Sequence, residues 1–118
     1  MFPKNCWYVA ALSAEVGRTL LKRTIANEAV VMYRTADGRP AAFLDRCPHR
    51  LVPLSMGKLV GDAIECGYHG ITFDCTGKCI RVPGEEKVAD HFRAWTFPLI
   101  ERYGFLWIWL GERAKADE

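Results

Sequence analysis

Two short segments of this chain each pair a sulfur donor with a nitrogen donor. Cys47-Pro48-His49 is followed, after sixteen residues, by Cys66-Gly67-Tyr68-His69. Thiolate and neutral imidazole are both transition-metal ligands, and four of them at one point make an S2N2 site. A lone histidine is usually a hydrogen-bonded surface or core residue. Here two of the three histidines and two of the five cysteines fall into matched pairs, which composition alone does not explain. A tetrahedral zinc is chemically acceptable in such a set. Zinc fingers, however, usually join Cys with Cys and His with His along the sequence, whereas each segment here mixes the two. The mixed order suits a binuclear cluster, one iron taking both sulfurs and the other both imidazoles.

The elements that must position these donors read as strands. Short apolar-alternating runs divided by turn residues predict an all-β domain. A buried first strand covers 6–12, and Ser13-Ala14-Glu15 can cap a single turn. Strands are expected over 18–25, 28–35, 41–45, 58–60, 63–66, 71–74, 79–82, 95–101 and 105–110. Turns fall at Asp37-Gly38, Gly61-Asp62, Thr76-Gly77 and Tyr103-Gly104. Pro98 argues for an edge or a bulge in the penultimate strand. Both donor pairs then sit at strand-to-turn transitions, so two loops projecting side by side from a β scaffold can bring them together. No window of eleven or more residues keeps a helical period.

At 118 residues the chain is one domain, and with half its residues hydrophobic and a quarter charged it folds rather than staying disordered. Sixteen basic against fourteen acidic residues leave a formal charge of only +2, with no basic stripe. Nucleic acid and anionic membranes are therefore not expected partners. The longest apolar runs, 6–12 and 105–110, are far short of a membrane span. The N-terminal run is a poor signal peptide, and five cysteines at irregular spacing do not form a secreted disulfide framework. A cytoplasmic protein whose cysteines bind metal is expected. The charged residues 111–118 lack apolar anchors and look like a linker.

C-x-H followed by C-x-x-H is the Rieske [2Fe–2S] signature, and this chain resembles that family through Cys47, His49, Cys66 and His69. The resemblance implies an all-β Rieske fold, antiparallel sheets with a small cluster-binding subdomain at about 46–84, in which those four residues hold the cluster. Gly67 and Gly70 are then expected to let backbone N–H groups approach the sulfides, and Pro83-Gly84 to supply a third covering loop. Two thiolates cancel the two positive charges of an oxidised core, so the site is neutral when oxidised and singly negative when reduced. A four-thiolate site would carry two more negative charges in each state, which a low-dielectric pocket opposes.

Further motifs are similar to those of the aromatic O-demethylase branch of the Rieske non-heme iron oxygenases, the vanillate and dicamba types. They are Pro3-Lys4-Asn5 with Trp7-Tyr8-Val9-Ala10, Cys47-Pro48-His49-Arg50, Pro53-Leu54-Ser55, Cys66-Gly67-Tyr68-His69-Gly70 and Arg102-Tyr103-Gly104-Phe105. Cys6 departs from the alanine of that pattern. Such oxygenases carry a Rieske domain at the N-terminus and a larger catalytic domain with a mononuclear iron on two histidines and a carboxylate. Only His91 remains here after the cluster. The resemblance therefore implies an electron-transfer domain over 1–110, with 111–118 leading toward a catalytic domain outside this sequence. The implied partners are a reductase component and the catalytic domain of a neighbouring protomer, reached through His69. A stand-alone Rieske ferredoxin and a structural zinc module are the alternatives.

High-potential relatives have a serine directly after the second-loop His-Gly and a tyrosine two residues later, whose hydroxyls donate to sulfur. Ile71 and Phe73 occupy those positions here, which predicts a low-potential cluster. The disulfide that braces the loops of such relatives has no counterpart, since Leu51, Val52, Gly67 and Tyr68 stand in its neighbourhood. Cys75 and Cys79 flank a hairpin turn and read as two free thiols rather than a redox switch. Arg50 is expected either to steer an acidic partner or to pair with Asp45.

Overall fold

The computed structural model describes residues 3–48, 52–67, 70–84 and 93–116. Its strands are β1 (Cys6–Leu12), β2 (Leu21–Ile25), β3 (Glu28–Arg34), β4 (Pro40–Leu44), β5 (Lys58–Val60), β6 (Ala63–Glu65), β7 (Thr72–Phe73), β8 (Cys79–Arg81), β9 (Leu99–Arg102) and β10 (Phe105–Leu110). They form three antiparallel sheets in the orders β1-β10-β9, β2-β3-β4 and β5-β6-β7-β8. Single 3-10 turns sit at Ser13–Glu15, Leu54–Met56 and Arg113–Lys115. The expected all-β class holds, and no helix among the described residues is long and apolar enough to cross a membrane.

The near-continuous apolar run of β3 has a direct cause. Side chains alternate across a strand, and both faces of this one are covered. Val30 and Met32 face one core, together with Ala10, Ala42, Leu106, Ile108 and Leu110. Val31 and Tyr33 face a second core, with Phe43, Leu54, Ile64, Ile71 and Phe73. All four β3 residues are fully buried, worth up to about 1.5–3 kcal/mol for each large apolar side chain. Strand β3 is thus a wall shared by two cores. In the first core, β1 pairs with β10 from Cys6↔Leu110 to Leu12↔Phe105, with a register shift between Val9 and Ala11. That irregularity lets consecutive residues Ala10 and Ala11 both face inward.

Several expected strands are shorter than the patterns suggested, 71–74 reducing to Thr72–Phe73, and two are cut by three residues or more. The run 18–25 becomes a strand only at Leu21; Arg18 instead donates to the carbonyls of Arg34 (2.6 Å) and Gly61 (2.5 Å). The run 95–101 divides at Pro98, which has no N–H to give a ladder. Before it, Leu44 N–H donates to Trp95 O and Phe97 N–H to Ala42 O, so the segment lies along the outer edge of β4. After it, β9 pairs with β10 as the edge strand of its sheet.

The segment after β10 lacks apolar anchors as expected, yet polar contacts tie it down. Glu112 N–H donates to Asn5 Oδ1 (2.7 Å), and Arg113 donates to Thr96 O (2.5 Å) and Oγ1 (2.7 Å). The small sheet is anchored at its far end. Tyr33 donates its hydroxyl proton to Asp62 O (2.8 Å), and Asp62 Oδ1 accepts from Ala36 N–H (2.6 Å). Burial pushes the Tyr33 phenol well above its ordinary pKa, so it stays a donor. At the β7–β8 turn, Gly77 has φ +92°, and a Cβ there would lie 2.5 Å from Ala94 O. Only glycine fits that approach.

Candidate metal centre

Cys47 follows β4 and Cys66 follows β6, and the two are 0% and 1% exposed in the same core. The backbone closes both segments the same way. Cys47 N–H donates to Val52 O (2.7 Å), and Cys66 N–H donates to Ile71 O (2.7 Å). In each case the cysteine amide reaches the carbonyl five residues on, with a histidine inside the loop. His49, Arg50, Leu51, Tyr68 and His69 lie outside the described residues, as does 85–92 with His91. Among the described residues no group of three His, Cys, Asp or Glu converges, so the described part of the predicted ligand set is its sulfur half.

That half fits an iron–sulfur core. Two buried thiols are poor places for uncompensated negative charge, and two thiolates balance a core bearing two positive charges. Backbone also comes close around them. A Cβ on Gly67 would lie 3.0 Å from Met56 O, and Gly70, at φ +71°, packs 3.5 Å from the Pro83 side chain by the same measure. Pro83 therefore lies against Gly70, beside the second Cys-His segment.

Two features of this region were not singled out from sequence. Gly57 brings the first loop against the second: a Cβ there would overlap Glu65 O and lie 3.0 Å from Gly67 N. Its signal was a glycine just beyond Leu54-Ser55-Met56. The other is a pair. Asp45, 6% exposed, accepts from Ser55 N–H at Oδ1 (2.6 Å) and from Ser55 Oγ at Oδ2 (2.6 Å). The expected partner of Asp45, Arg50, is outside the described residues, and each carboxylate oxygen is already engaged by Ser55.

Ile71 and Phe73 are buried in the core beside the cysteines. Between them, Thr72 spends its hydroxyl proton on Gly70 O (3.0 Å). Cys75 and Cys79 are not joined by a disulfide. Cys79 is buried, which raises its thiol pKa, and its Sγ donates to Arg81 O (3.6 Å). Both properties make it a structural thiol.

The profile of the Rieske [2Fe-2S] domain matches residues 6–95. The chain is 46% identical over 123 residues to a vanillate O-demethylase oxygenase subunit of a Pseudomonas species, covering 99% of this chain and 33% of that protein. It is 42% identical over 118 residues to the toluene-4-sulfonate monooxygenase system iron-sulfur subunit of Comamonas testosteroni, covering 99% of this chain and 34% of that one. The crystal structure of apo dicamba monooxygenase superimposes with a TM-score of 0.93 at 44% identity, over 98% of this chain and 36% of that chain. The chain thus spans about a third of the length of the curated relatives it matches.

Proposed function

Because this chain belongs to the Rieske [2Fe–2S] domain family, we propose that it is the electron-transfer domain of an aromatic O-demethylase-like Rieske oxygenase. The carrying observation is the pair of buried cysteines at the bases of two identically closed loops in one core. Cys47, His49, Cys66 and His69 are the ligands, and the [2Fe–2S] cluster supplies one-electron chemistry when bound. The chain's own part is to keep the sulfur donors dry and to hold the two loops in register. Residues 1–110 are the domain, with its cluster-binding part at about 46–84, and 111–118 begin the linker to a catalytic domain carrying a mononuclear iron. A reductase component is the electron source, and His69 is the exit toward the catalytic domain of a neighbouring cytoplasmic protomer. The length of the relatives supports this reading over a stand-alone ferredoxin.

Among the residues after the second histidine, the Ile71 and Phe73 side chains carry no hydroxyl, and the Thr72 hydroxyl is engaged by Gly70. Backbone N–H groups are then the main donors, which supports a potential at the low end of roughly −150 to +300 mV. The purified chain should be brown-red, contain iron and acid-labile sulfide, and titrate below zero. The double variant Ile71→Ser with Phe73→Tyr should titrate higher. One zinc without sulfide would overturn the cluster, and a wild-type midpoint well above zero would overturn the low-potential class.

A further inference from the structure

We infer that Asp45 and Ser55 are positioning residues that set the spacing of the two ligand loops, an assignment that rests on the proposed cluster reading. Asp45 is fixed first. Its N–H donates to Ala29 O (2.9 Å), tying it to β3 at the shared wall. Its carboxylate then crosses the base of the first ligand loop to Ser55, one oxygen to the amide and the other to the hydroxyl. A carboxylate is costly to bury, and here both oxygens are met by short hydrogen bonds. Being acceptor-only, it also fixes which way the Ser55 hydroxyl points.

The connection continues beyond Ser55. Leu54, in the same 3-10 turn, is fully buried, so the turn cannot slide outward without opening the core. The next residues, Met56 and Gly57, lie directly against the backbone of Glu65 and Gly67 in the second ligand loop. An unbroken line of contacts therefore runs from Ala29 through Asp45, Ser55 and Gly57 to Gly67. It passes through no ligand side chain. The bases of the two loops are thus set at one separation by the protein's own contacts, which the cluster then completes.

The test uses the holo chain and reads cluster release to an iron chelator, together with the electron paramagnetic resonance spectrum of the reduced protein. Ser55→Ala should release its cluster about tenfold faster, the factor that matches one hydrogen bond to a charged acceptor, and should broaden the spectrum. Ser55→Thr, which keeps the hydroxyl, should restore both. Ile108→Ala, which weakens the other core, serves as the control for stability and should leave the spectrum unchanged. A wild-type spectrum and release rate in Ser55→Ala would overturn the positioning role of Asp45 and Ser55, as would a Thr variant no better than Ala or an Ile108→Ala spectrum equally broadened. A wild-type chain lacking acid-labile sulfide would overturn the cluster reading, and the positioning role with it, and is told apart by chemical analysis alone.

Discussion

The core facing β10 and the core facing the ligand loops share strand β3, but they are closed by very different material. On one side β1 and β10 contribute seven and six residues, paired along their length. Leu106, Ile108 and Leu110 point inward from a single strand, and Trp7 stacks edge-on against Trp109 across the outer face (5.3 Å). On the other side β5 to β8 are two or three residues long, and β6 meets β7 through only two residue pairs. Strands that short do not hold a sheet together alone. Close backbone packing at Gly57 and Gly77 and the Asp45–Ser55 pair make up part of the difference, and on the proposed reading the cluster supplies the rest. One half is built to be stable, the other to be completed.

The comparison is broken most directly at the sulfur donors. Cys47→Ala or Cys66→Ala should abolish the cluster outright, read as loss of visible absorbance and labile sulfide. Amide exchange should then rise through β5–β8 while β1 and β10 stay protected. Equal loss of protection in both halves would show that the cores are not separable. Next in size, Ile108→Ala should cost about 2–5 kcal/mol in denaturant unfolding whether or not the cluster is bound. Ile64→Ala, fully buried in the other core, should cost as much in the holo protein but less in the apo protein, where that core is already loosened.

Gly77→Ala should follow at roughly 1–3 kcal/mol, because the new Cβ must push Ala94 O away from an unfavourable φ. Its unfolding midpoint should fall less in apo than in holo protein, because that half is already loosened without the cluster. The smallest effect belongs to the other half, at Glu101. The hydrogen bond from the Arg34 guanidinium (2.8 Å) is the main cause that holds its carboxyl below the usual carboxylate range. A depressed folded-state pKa stabilises above the unfolded value, about 4.3, and that contribution fades as pH falls through the folded value. Glu101→Gln should thus lower the melting temperature slightly at neutral pH, with the difference closing in acid. A difference that persists well below that range would mean the pair contributes through packing.

The same division explains what was legible in the residues. In the long-stranded half, alternation and turn residues marked β1, β3, β10 and the Tyr103-Gly104 turn to within a residue. The exceptions have local causes: Arg18 leaves its strand to reach Gly61 O, and Pro98 divides a run that hydropathy alone makes continuous. In the short-stranded half the cysteines and turns stood out by type and spacing. What held them did not. Asp45 and Ser55 are ten residues apart on no common periodicity, and the role of Gly57 depends on a carbonyl eight residues later in the chain. Such contacts are set by where loops cross, which a one-dimensional pattern does not record. The charged tail was similarly opaque, since Arg113 finds Thr96 through polar groups that hydropathy ignores.

The pairing of β1 with β10 also orders events during synthesis. The first strand of the fold cannot close its core until the last one has left the ribosome, about a hundred residues afterwards. At roughly 5–20 residues per second that is a wait of about 5–20 seconds. Over that interval the strands of β2–β3–β4 and of β5 to β8, whose partners are near neighbours in the chain, have all been synthesised. Every strand around the two Cys-His segments therefore leaves the ribosome before the strand that closes the other core.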